Sequence, residues 1–268
     1  MAAVERPTSY SQSLERGLAI LAAFKPARPL LGISELARAL ELNRSTAHRY
    51  VGTLTALGYL QQDRGTRKYR LGPRVLDLGF SAINSMELRV ISSPYLQRLS
   101  DETGFTVNMA ILEGTDILYV ERCRSSGAGQ REIDLNLHVG SRLPAYCTSM
   151  GKVLLAFLPT KRRGALLDEI HLGRRGPNTL TDRRALEVEL ERVRERGLAI
   201  NNEELAYRLR SIAAPVRNGS GEVTAAINLA VHSSMVSMQD LVAGLSESLR
   251  RTAAEISAQV GYRGKETV

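Results

Sequence analysis

Two short amphipathic segments separated by a brief break most strongly constrain how this chain folds. The first segment, 34–41, starts at Ser34, a favourable N-cap, and carries apolar residues at helical spacing. The second segment, 44–57, follows Asn43, another N-cap residue, and is ended by Gly58. Its outward positions are basic and polar. Two such helices are typical of a helix-turn-helix unit, whose second helix enters the major groove of DNA.

A basic hairpin follows the second helix. Residues 59–63 and 68–71 have the composition of two strands around a turn with glycine, which extends the prediction to a winged helix-turn-helix. Residues 1–80 hold 12 Lys and Arg against 6 Asp and Glu, a net charge of +6, whereas the rest of the chain has a net charge of +2. We therefore predict that this unit binds double-stranded DNA; the alternative is a three-helix core with a solvated charged face.

The candidate DNA contacts lie on the outward face of the second helix and on the wing. An arginine can donate two hydrogen bonds to a guanine, and a basic side chain can neutralise a backbone phosphate. Polar residues of the first helical turn, such as Ser45 and Thr46, are equally suited to a phosphate contact. The candidates are Arg44, Ser45, Thr46, His48, Arg49, Thr53, Arg64, Arg67 and Lys68.

An N-terminal helix is predicted ahead of this unit. The segment 11–25 places Leu14, Leu18 and Leu21 on one helical face. One recognition helix and one wing cover only a half-site of DNA, so specific recognition needs at least a homodimer. We expect this leucine face to pair across a two-fold axis; the alternative is that it only covers its own helix-turn-helix.

The rest of the chain mixes strand and helix patterns. Strands are predicted at 106–112, 117–122, 133–139, 199–202, 212–217 and 223–231, and helices at 74–84, 88–103, 148–158, 161–170, 182–196 and 236–260. This order predicts an α+β domain with a largely antiparallel sheet. The predicted organisation is a winged helix-turn-helix domain (1–72), a linker helix (73–86), a second domain (87–262) and a tail (263–268).

Composition argues against several other classes of protein. The chain has no run of about 18 apolar residues that could span a membrane, and its first ten residues do not resemble a signal peptide. Two cysteines are too few for a disulfide framework, and no motif has the spacing of metal ligands. We therefore expect a cytoplasmic protein with no metal and no cofactor.

The densest chemical pattern of the second domain is the segment 140–152, GSRLPAYCTSMGK, which leads through a loop into a helix. The start of that helix offers free backbone N–H groups, and Thr148 and Ser149 add hydroxyls. Arg142 can bind a carboxylate through two hydrogen bonds. This pattern predicts one wall of an anion-binding pocket; the alternative is simple capping by Thr148, with Gly151 present for packing.

Other features of this domain bear on whether it has catalytic chemistry. Cys147 has no histidine placed by spacing to act as its base, so we expect an inert or ligand-lining cysteine. The turns at 201–204 and 208–211 are further candidate pocket walls, although both also suit solvated loops. We predict that the chain is not an enzyme.

The chain resembles the IclR family of bacterial transcriptional regulators from about residue 11 to residue 262. The resemblance rests on the runs ISELARALELNRSTAHRYVGTLTALGYL, GSRLPAYCTSMGKVLLA and LRSIAAPV. The run LHVGSRLPAYCTSMGKVLLAFL is similar to the subgroup that controls aromatic-acid breakdown through the β-ketoadipate pathway. The resemblance implies a winged helix-turn-helix, a GAF/profilin-like α/β effector domain with an antiparallel sheet, a small organic acid as effector, and homodimers or homotetramers.

Departures from the common family pattern indicate what kind of acid to expect. Many members have Leu-Pro-Leu-His-Ala-Thr-Ala-x-Gly-Lys in the effector loop, a Gly and a Cys before Ala-Ala-Pro, and paired serines on the last strand. The positions that differ here are Ala145, Tyr146, Cys147, Ser149, Arg208, Ser211, Asn228 and Ala230. A tyrosine, additional hydroxyls and spare arginines suit an aromatic or dicarboxylic acid better than a very small keto acid.

Taken with the resemblance, the residues predict a ligand-responsive regulator of aromatic-acid catabolism genes. The alternatives are a family member that senses another organic acid, an architectural DNA-binding protein without a ligand, and an enzyme domain fused to a DNA anchor. The candidate effector-binding residues are Arg142, Tyr146, Cys147, Thr148, Ser149, Met150, Gly151, Glu204, Arg208, Ser211 and Asn228.

Overall fold

The computed structural model describes residues 9–25, 27–124 and 137–264. The chain divides into two compact units, Met1–Ser85 and Met86–Val268, and each is described by itself. Within the described ranges, no helix is both long enough and apolar enough to cross a membrane.

The first unit is the predicted winged helix-turn-helix. Its elements are α1 (Gln12–Ala22), α2 (Ile33–Ala39), α3 (Arg44–Ala56), β1 (Leu60–Gln62), β2 (Tyr69–Leu71) and α4 (Arg74–Asn84). The wing is the antiparallel pair β1–β2, with Leu60 opposite Leu71. Helix α4 occupies the segment that is predicted to be the linker helix.

The core of the first unit is built from one face of each helix. Ile20, Leu36, Val51 and Leu60 are almost completely buried and belong to one cluster. Burying an aliphatic side chain of this size contributes about 1.5–3 kcal/mol, so these residues hold the three helices and the wing together. The opposite faces of the helices stay exposed.

The start of α2 corrects one sequence prediction. Ser34 is predicted to be its N-cap, but the helix begins at Ile33 and its N-cap is Gly32. The carboxylate of Glu35 accepts the Gly32 backbone N–H at 2.8 Å, so a side chain inside the first turn reaches back to the cap. The predicted cap of α3 is confirmed, because Asn43 Oδ1 accepts the Thr46 N–H at 2.7 Å.

The second unit is the predicted α+β domain with an antiparallel sheet. Its elements are α5 (Glu87–Thr103), β3 (Thr106–Glu113), β4 (Asp116–Cys123), β5 (Arg142–Pro144), a 3₁₀ turn (Ala145–Cys147), α6 (Ser149–Ala156), α7 (Thr160–Glu169), α8 (Arg183–Arg196), β6 (Ala199–Asn202), β7 (Leu209–Arg217), β8 (Val223–His232) and α9 (Met238–Gln259). The strand order is β5-β4-β3-β8-β7-β6, and every neighbouring pair is antiparallel.

Helices cover both faces of the sheet. Successive residues of a strand point to opposite faces, so neighbouring residues of one strand pack against different helices. On β7, Ala213 belongs to the cluster that includes α6, α7 and α8. Its neighbours Ile212 and Ala214 belong to the cluster that includes α5 and α9. Burial on both faces explains why β7 and β8 are nearly continuous apolar runs.

Two predicted segments fall partly or wholly outside the description. The predicted strand 133–139 lies mostly outside the described residues, and 137–139 is not a strand. The tail 263–268 is described only as far as residue 264. Strand β5 is not predicted by the sequence pattern, because three residues are too few to show a period of two; its pairing with β4, with Leu143 opposite Ile117, defines it.

Candidate functional site

Helix α3 turns its polar side chains away from the core of the first unit. Ala47 and Val51 are fully buried one helical turn apart, which directs the opposite face to solvent. The hydroxyl of Ser45 donates to Asn43, and that of Thr53 donates to a backbone carbonyl, so both are engaged within the helix. Of the predicted contacts on this helix, Thr46 is half-buried and the exposed ones are Arg44, Ser45, His48, Arg49 and Thr53.

The three predicted basic residues of the wing differ in their surroundings. Arg64 and Arg67 are exposed in the turn between β1 and β2. The ammonium of Lys68 lies 3.1 Å from Glu35 Oε2, on the carboxylate that also receives the N–H at the start of α2. We therefore expect phosphate contacts from the two arginines in preference to Lys68.

A cavity lies in the second unit between the sheet and the N-terminus of α6. Its volume is about 30 Å³. A single water molecule needs a cavity of roughly 10–15 Å³, so a cavity this small means that its walls lie close together. The lining residues are Thr106, Asn108, Tyr119, Arg122, Leu137, Thr148, Ser149, Asn201, Leu205, Leu209, Ser211, Asn228 and Ala230.

The polar side chains of the cavity are bonded to one another. Ser149 Oγ and Ser211 Oγ are 2.8 Å apart. Asn108 Nδ2 donates to Asn228 Oδ1 at 2.8 Å, and Arg122 Nη1 donates to Asn108 Oδ1 at 2.9 Å. Buried amides and hydroxyls beside a half-buried guanidinium can bind an organic acid strongly, because a ligand there competes little with solvent.

The N-terminus of α6 meets this cavity. Thr148 Oγ1 accepts the Gly151 N–H at 3.1 Å, so the predicted capping role is present at the same place as the cavity wall. The first turn of a helix carries a partial positive charge, which favours an anion. Gly151 itself faces Ala145: a Cβ at this position would lie 2.1 Å from the Ala145 carbonyl oxygen, so its role is close packing.

The structure does not bring Arg142 and Arg208, two of the predicted effector residues, to the cavity. Arg142 is exposed on β5 at the edge of the sheet, where its Nη2 lies 2.7 Å from Glu113 Oε2. Arg208 is exposed and stacks over the ring of Tyr207 at 5.1 Å. The guanidinium in the cavity belongs instead to Arg122.

Tyr146, Cys147 and Met150 are buried beside the cavity without lining it. The hydroxyl of Tyr146 donates to the carbonyl of Gly173. Burial raises the pKa of the Cys147 thiol to about 11, so the thiol is protonated at neutral pH and is a poor nucleophile. Met150 is completely buried in the core.

Glu204 forms a buried ion pair that the sequence does not predict. Its Oε1 lies 2.5 Å from Lys152 Nζ, and Glu189 Oε1 lies 3.7 Å from the same nitrogen. Desolvation raises the pKa of Glu204, and the neighbouring ammonium of Lys152 opposes this rise. The N–H of Glu204 donates to Asn201, whose Nδ2 donates to the Cys147 carbonyl at 2.6 Å. The pair therefore supports the strand end that carries Asn201 to the cavity wall.

Several lining residues are missed by sequence reasoning, above all Arg122, Asn108 and Tyr119, whereas Asn201 belongs to the turn at 201–204 that the sequence predicts as a candidate wall. The sequence signal that could have identified such residues is a polar residue between apolar neighbours of a strand, as in VNMAI and YVERC. Among the described residues, no group of three or more His, Cys, Asp or Glu is arranged to hold a metal ion.

Comparisons with known proteins agree with this arrangement. Residues 13–64 match the IclR helix-turn-helix domain, and residues 80–258 match the bacterial transcriptional regulator IclR C-terminal domain. The Pca regulon regulatory protein of Pseudomonas putida is 40% identical, over 87% of this chain and 78% of that protein. The p-hydroxybenzoate hydroxylase transcriptional activator of Acinetobacter baylyi is 32% identical, over 94% of this chain and 92% of that protein.

A solved structure is similar over both units. The crystal structure of an IclR homologue from Microbacterium hydrocarbonoxydans, complexed with 4-hydroxybenzoate, has a TM-score of 0.78 and 28% identity. The match covers 93% of this chain and 99% of that chain.

Proposed function

This chain belongs to the IclR family of bacterial transcriptional regulators, and from that premise we propose that it regulates genes of aromatic-acid catabolism in response to an organic acid bound in the cavity of its second unit. Proteins of this family are regulators and not enzymes, as expected from the sequence. The relatives named for the Pca regulon and for p-hydroxybenzoate hydroxylase support an aromatic or dicarboxylic effector. The observation that carries the proposal is the cluster of buried amides and hydroxyls that the half-buried guanidinium of Arg122 joins.

The cluster offers a complementary partner to each part of such an acid. The carboxylate would bind Arg122 and the N-terminus of α6, which together supply a full charge and backbone N–H groups. A ring hydroxyl or a second polar group would bond to Ser149 and Ser211. Tyr119 would flank an aromatic ring at an offset that aromatic pairs favour.

The small volume of the cavity links binding to a change of shape. An aromatic acid does not fit in about 30 Å³, so the walls must separate before the effector binds. A ligand that binds only the opened form shifts the population toward it. We propose that this shift changes DNA binding by the first unit, through the linker helix.

The proposal is tested by measuring effector and DNA binding together. Calorimetry with protocatechuate, p-hydroxybenzoate and β-ketoadipate should reveal a saturable ligand, and that ligand should alter the affinity for operator DNA in fluorescence anisotropy. Binding of another organic acid would favour a different sensor of the same family. Unchanged DNA affinity with every acid would instead favour an architectural DNA-binding protein, and turnover of an added acid would favour an enzyme.

The wing gives a prediction about salt dependence. Replacing Arg64 by glutamine should flatten the plot of log affinity against log salt concentration by about 0.9, the contribution of one neutralised phosphate. Lys68→Gln should have a smaller effect, because Glu35 already holds its ammonium. The matched control is Lys25→Gln, an exposed lysine of the same unit outside the wing. An unchanged slope for Arg64→Gln would show that the turn does not touch DNA.

Exposed leucines of the first unit support a homodimer. Leu14 and Leu18 of α1 are 63% and 57% exposed, and Leu76 and Leu78 of α4 are 61% and 56% exposed. Leu21, the third predicted residue, packs against the core of its own unit. Leu14 and Leu18 are one turn apart and share a face of α1, whereas Leu76 and Leu78 are two residues apart and lie on different sides of α4. Clustered exposed apolar residues are typical of a contact surface, so we propose that the leucine face of α1 is covered by a second copy of the chain.

Leu18→Glu should therefore weaken the assembly. The change puts a charge in each half of a symmetric contact and removes Leu18 from both copies. Each of these leucines would contribute about 1.5–3 kcal/mol when the dimer buries it, so the dimer dissociation constant should rise at least 100-fold. Sedimentation velocity at micromolar concentration measures the change. The control is Val188→Glu, because Val188 is 48% exposed in the second unit. A wild-type chain that sediments as a monomer and binds DNA as a monomer would contradict the proposal.

A further inference from the structure

We propose that a second site, the arginine groove lined by Arg162, Arg194 and Arg217, binds an organic polyanion, meaning two or more anionic groups on an apolar body. The groove has a volume of about 490 Å³, within the range of about 300–1,000 Å³ that small-molecule sites occupy. Nothing in the proposed function uses this groove.

The arginine groove is separate from the effector cavity. The cavity is lined by Asn228 and Ala230 of β8, whereas the groove is lined by Val223 and Thr224 at the other end of this strand. At about 3.3 Å per residue, the β8 residues of the two sites are about 13–23 Å apart along the strand. A ligand in one site does not touch the other.

The side chain of Arg217, which lines the groove, is held in place by its neighbours. Its guanidinium carbon lies 4.7 Å from the ring centroid of Phe157 and 5.9 Å from that of Tyr262. Its Nη1 donates to the carbonyl of Gly221 at 3.0 Å, and its backbone N–H donates to Ser257 Oγ at 2.9 Å. A guanidinium held against aromatic rings and a carbonyl loses little freedom when it binds an anion, which favours affinity.

The other two arginines have no carboxylate partner among the residues that the structure describes. Arg194 lies in the last turn of α8, where the helix dipole stabilises a cation. Arg162 lies in the first turn of α7, where the dipole disfavours one. A helix terminus therefore accounts for Arg194 but not for Arg162. Of the residues that line the groove, Glu222 is the one acid, so three positive charges face one negative charge.

The floor of the groove determines the rest of the ligand. The groove is also lined by the apolar residues Leu112, Leu154, Phe157, Leu158 and Val223. Guanidinium groups bind carboxylates and phosphates through paired hydrogen bonds, and an apolar floor favours a hydrocarbon or aromatic body. This combination suits an organic polyanion better than an inorganic ion.

The test uses the full chain and benzene-1,2,4-tricarboxylate as the probe in isothermal titration calorimetry. We expect saturable binding that Arg194→Gln weakens at least tenfold. The matched control, Arg184→Gln, removes an exposed arginine of the same helix outside the groove and should change affinity less than twofold. Arg122→Gln, in the effector cavity, should also leave this binding unchanged, so failure of the effector proposal would not affect the result.

Two further probes test the chemical class. Benzoate has the ring with one charge and pyrophosphate has the charges without a ring, so each should bind at least tenfold more weakly than the tricarboxylate. Equal loss in Arg194→Gln and Arg184→Gln would show non-specific attraction to surface charge and overturn the site. Absence of saturable binding would overturn it as well, and equally tight pyrophosphate binding would overturn the requirement for an apolar body.

Discussion

Replacing Lys152 by methionine should lower the free energy of unfolding of the second unit by about 3–5 kcal/mol at pH 8, because it leaves a buried carboxylate without its partner. The side chain of Lys152 is 1% exposed and that of Glu204 is 9% exposed. Methionine keeps an unbranched apolar chain of similar length, so most of the loss comes from the charge. Urea unfolding followed by circular dichroism measures the difference.

The loss should depend on pH in a defined direction. Burial raises the pKa of Glu204 above its ordinary value of 4.5. A carboxyl with a raised folded-state pKa contributes stability that is present below its unfolded pKa and is lost as the pH rises through its folded pKa. Removing the Lys152 ammonium raises that pKa further. The deficit of Lys152→Met should therefore be smaller near pH 5 and grow toward pH 8.

Two controls separate the ion pair from a general effect of losing a lysine. Lys161→Met removes an exposed lysine of α7 and should change the stability by less than about 0.5 kcal/mol. The double variant Lys152→Met with Glu204→Gln removes the unpaired charge and should recover part of the loss. A deficit for Lys152→Met that is under 1 kcal/mol, or that is the same at both pH values, would contradict this account.

Replacing Arg122 by glutamine should weaken binding of the proposed effector by about 1.5–3 kcal/mol, which is roughly 10–150-fold in affinity. Arg122 supplies the guanidinium that lines the cavity, and a charge-assisted bond to a carboxylate is worth more than a neutral one. Ser149→Ala should cost less, about 0.5–1.5 kcal/mol, because it removes a neutral hydrogen bond. Calorimetry with the tightest of the three proposed acids measures both variants.

Arg142→Ala is the matched control for this experiment. Arg142 pairs with Glu113 at the edge of the sheet and is outside the cavity, so its loss should leave effector affinity within twofold of wild type. If Arg142→Ala weakened binding and Arg122→Gln did not, the carboxylate would bind at the sheet edge, and the sequence interpretation of the segment 140–152 would be the better one.

Local patterns predict most of the fold because they depend on residues close together in the chain. Ala47 and Val51 are one turn apart, and Asn43 stands three residues before the N–H that it accepts, so α3 and its exposed face follow from sequence alone. The apolar runs that form most of β7 and β8, separated by a turn with glycine, predict two strands. The winged helix-turn-helix and the antiparallel α+β domain were predicted on this basis.

The candidate site needed the tertiary structure, because its interactions join distant parts of the chain. Asn108 meets Asn228 across the register of β3 and β8, and Arg122 reaches Asn108 from β4. Periodicity shows which face of a strand a residue occupies, but not which residue of another strand lies opposite. The sequence indicates a cation for the pocket and proposes Arg142, whereas the register of β3, β4 and β8 places the guanidinium of Arg122 in the cavity.

Burial of charge is the other property that only the tertiary structure decided. Lys152 stands in a helix and Glu204 in a turn, and in sequence each suits a solvated surface. Packing of α6 against α8 and the sheet removes Lys152 and Glu204 from water. A buried charge without a partner is costly, so each of the two residues needs the other. Sequence by itself determined the elements and their apolar faces. How those faces packed decided which polar groups lost their water, and therefore which polar groups must act together.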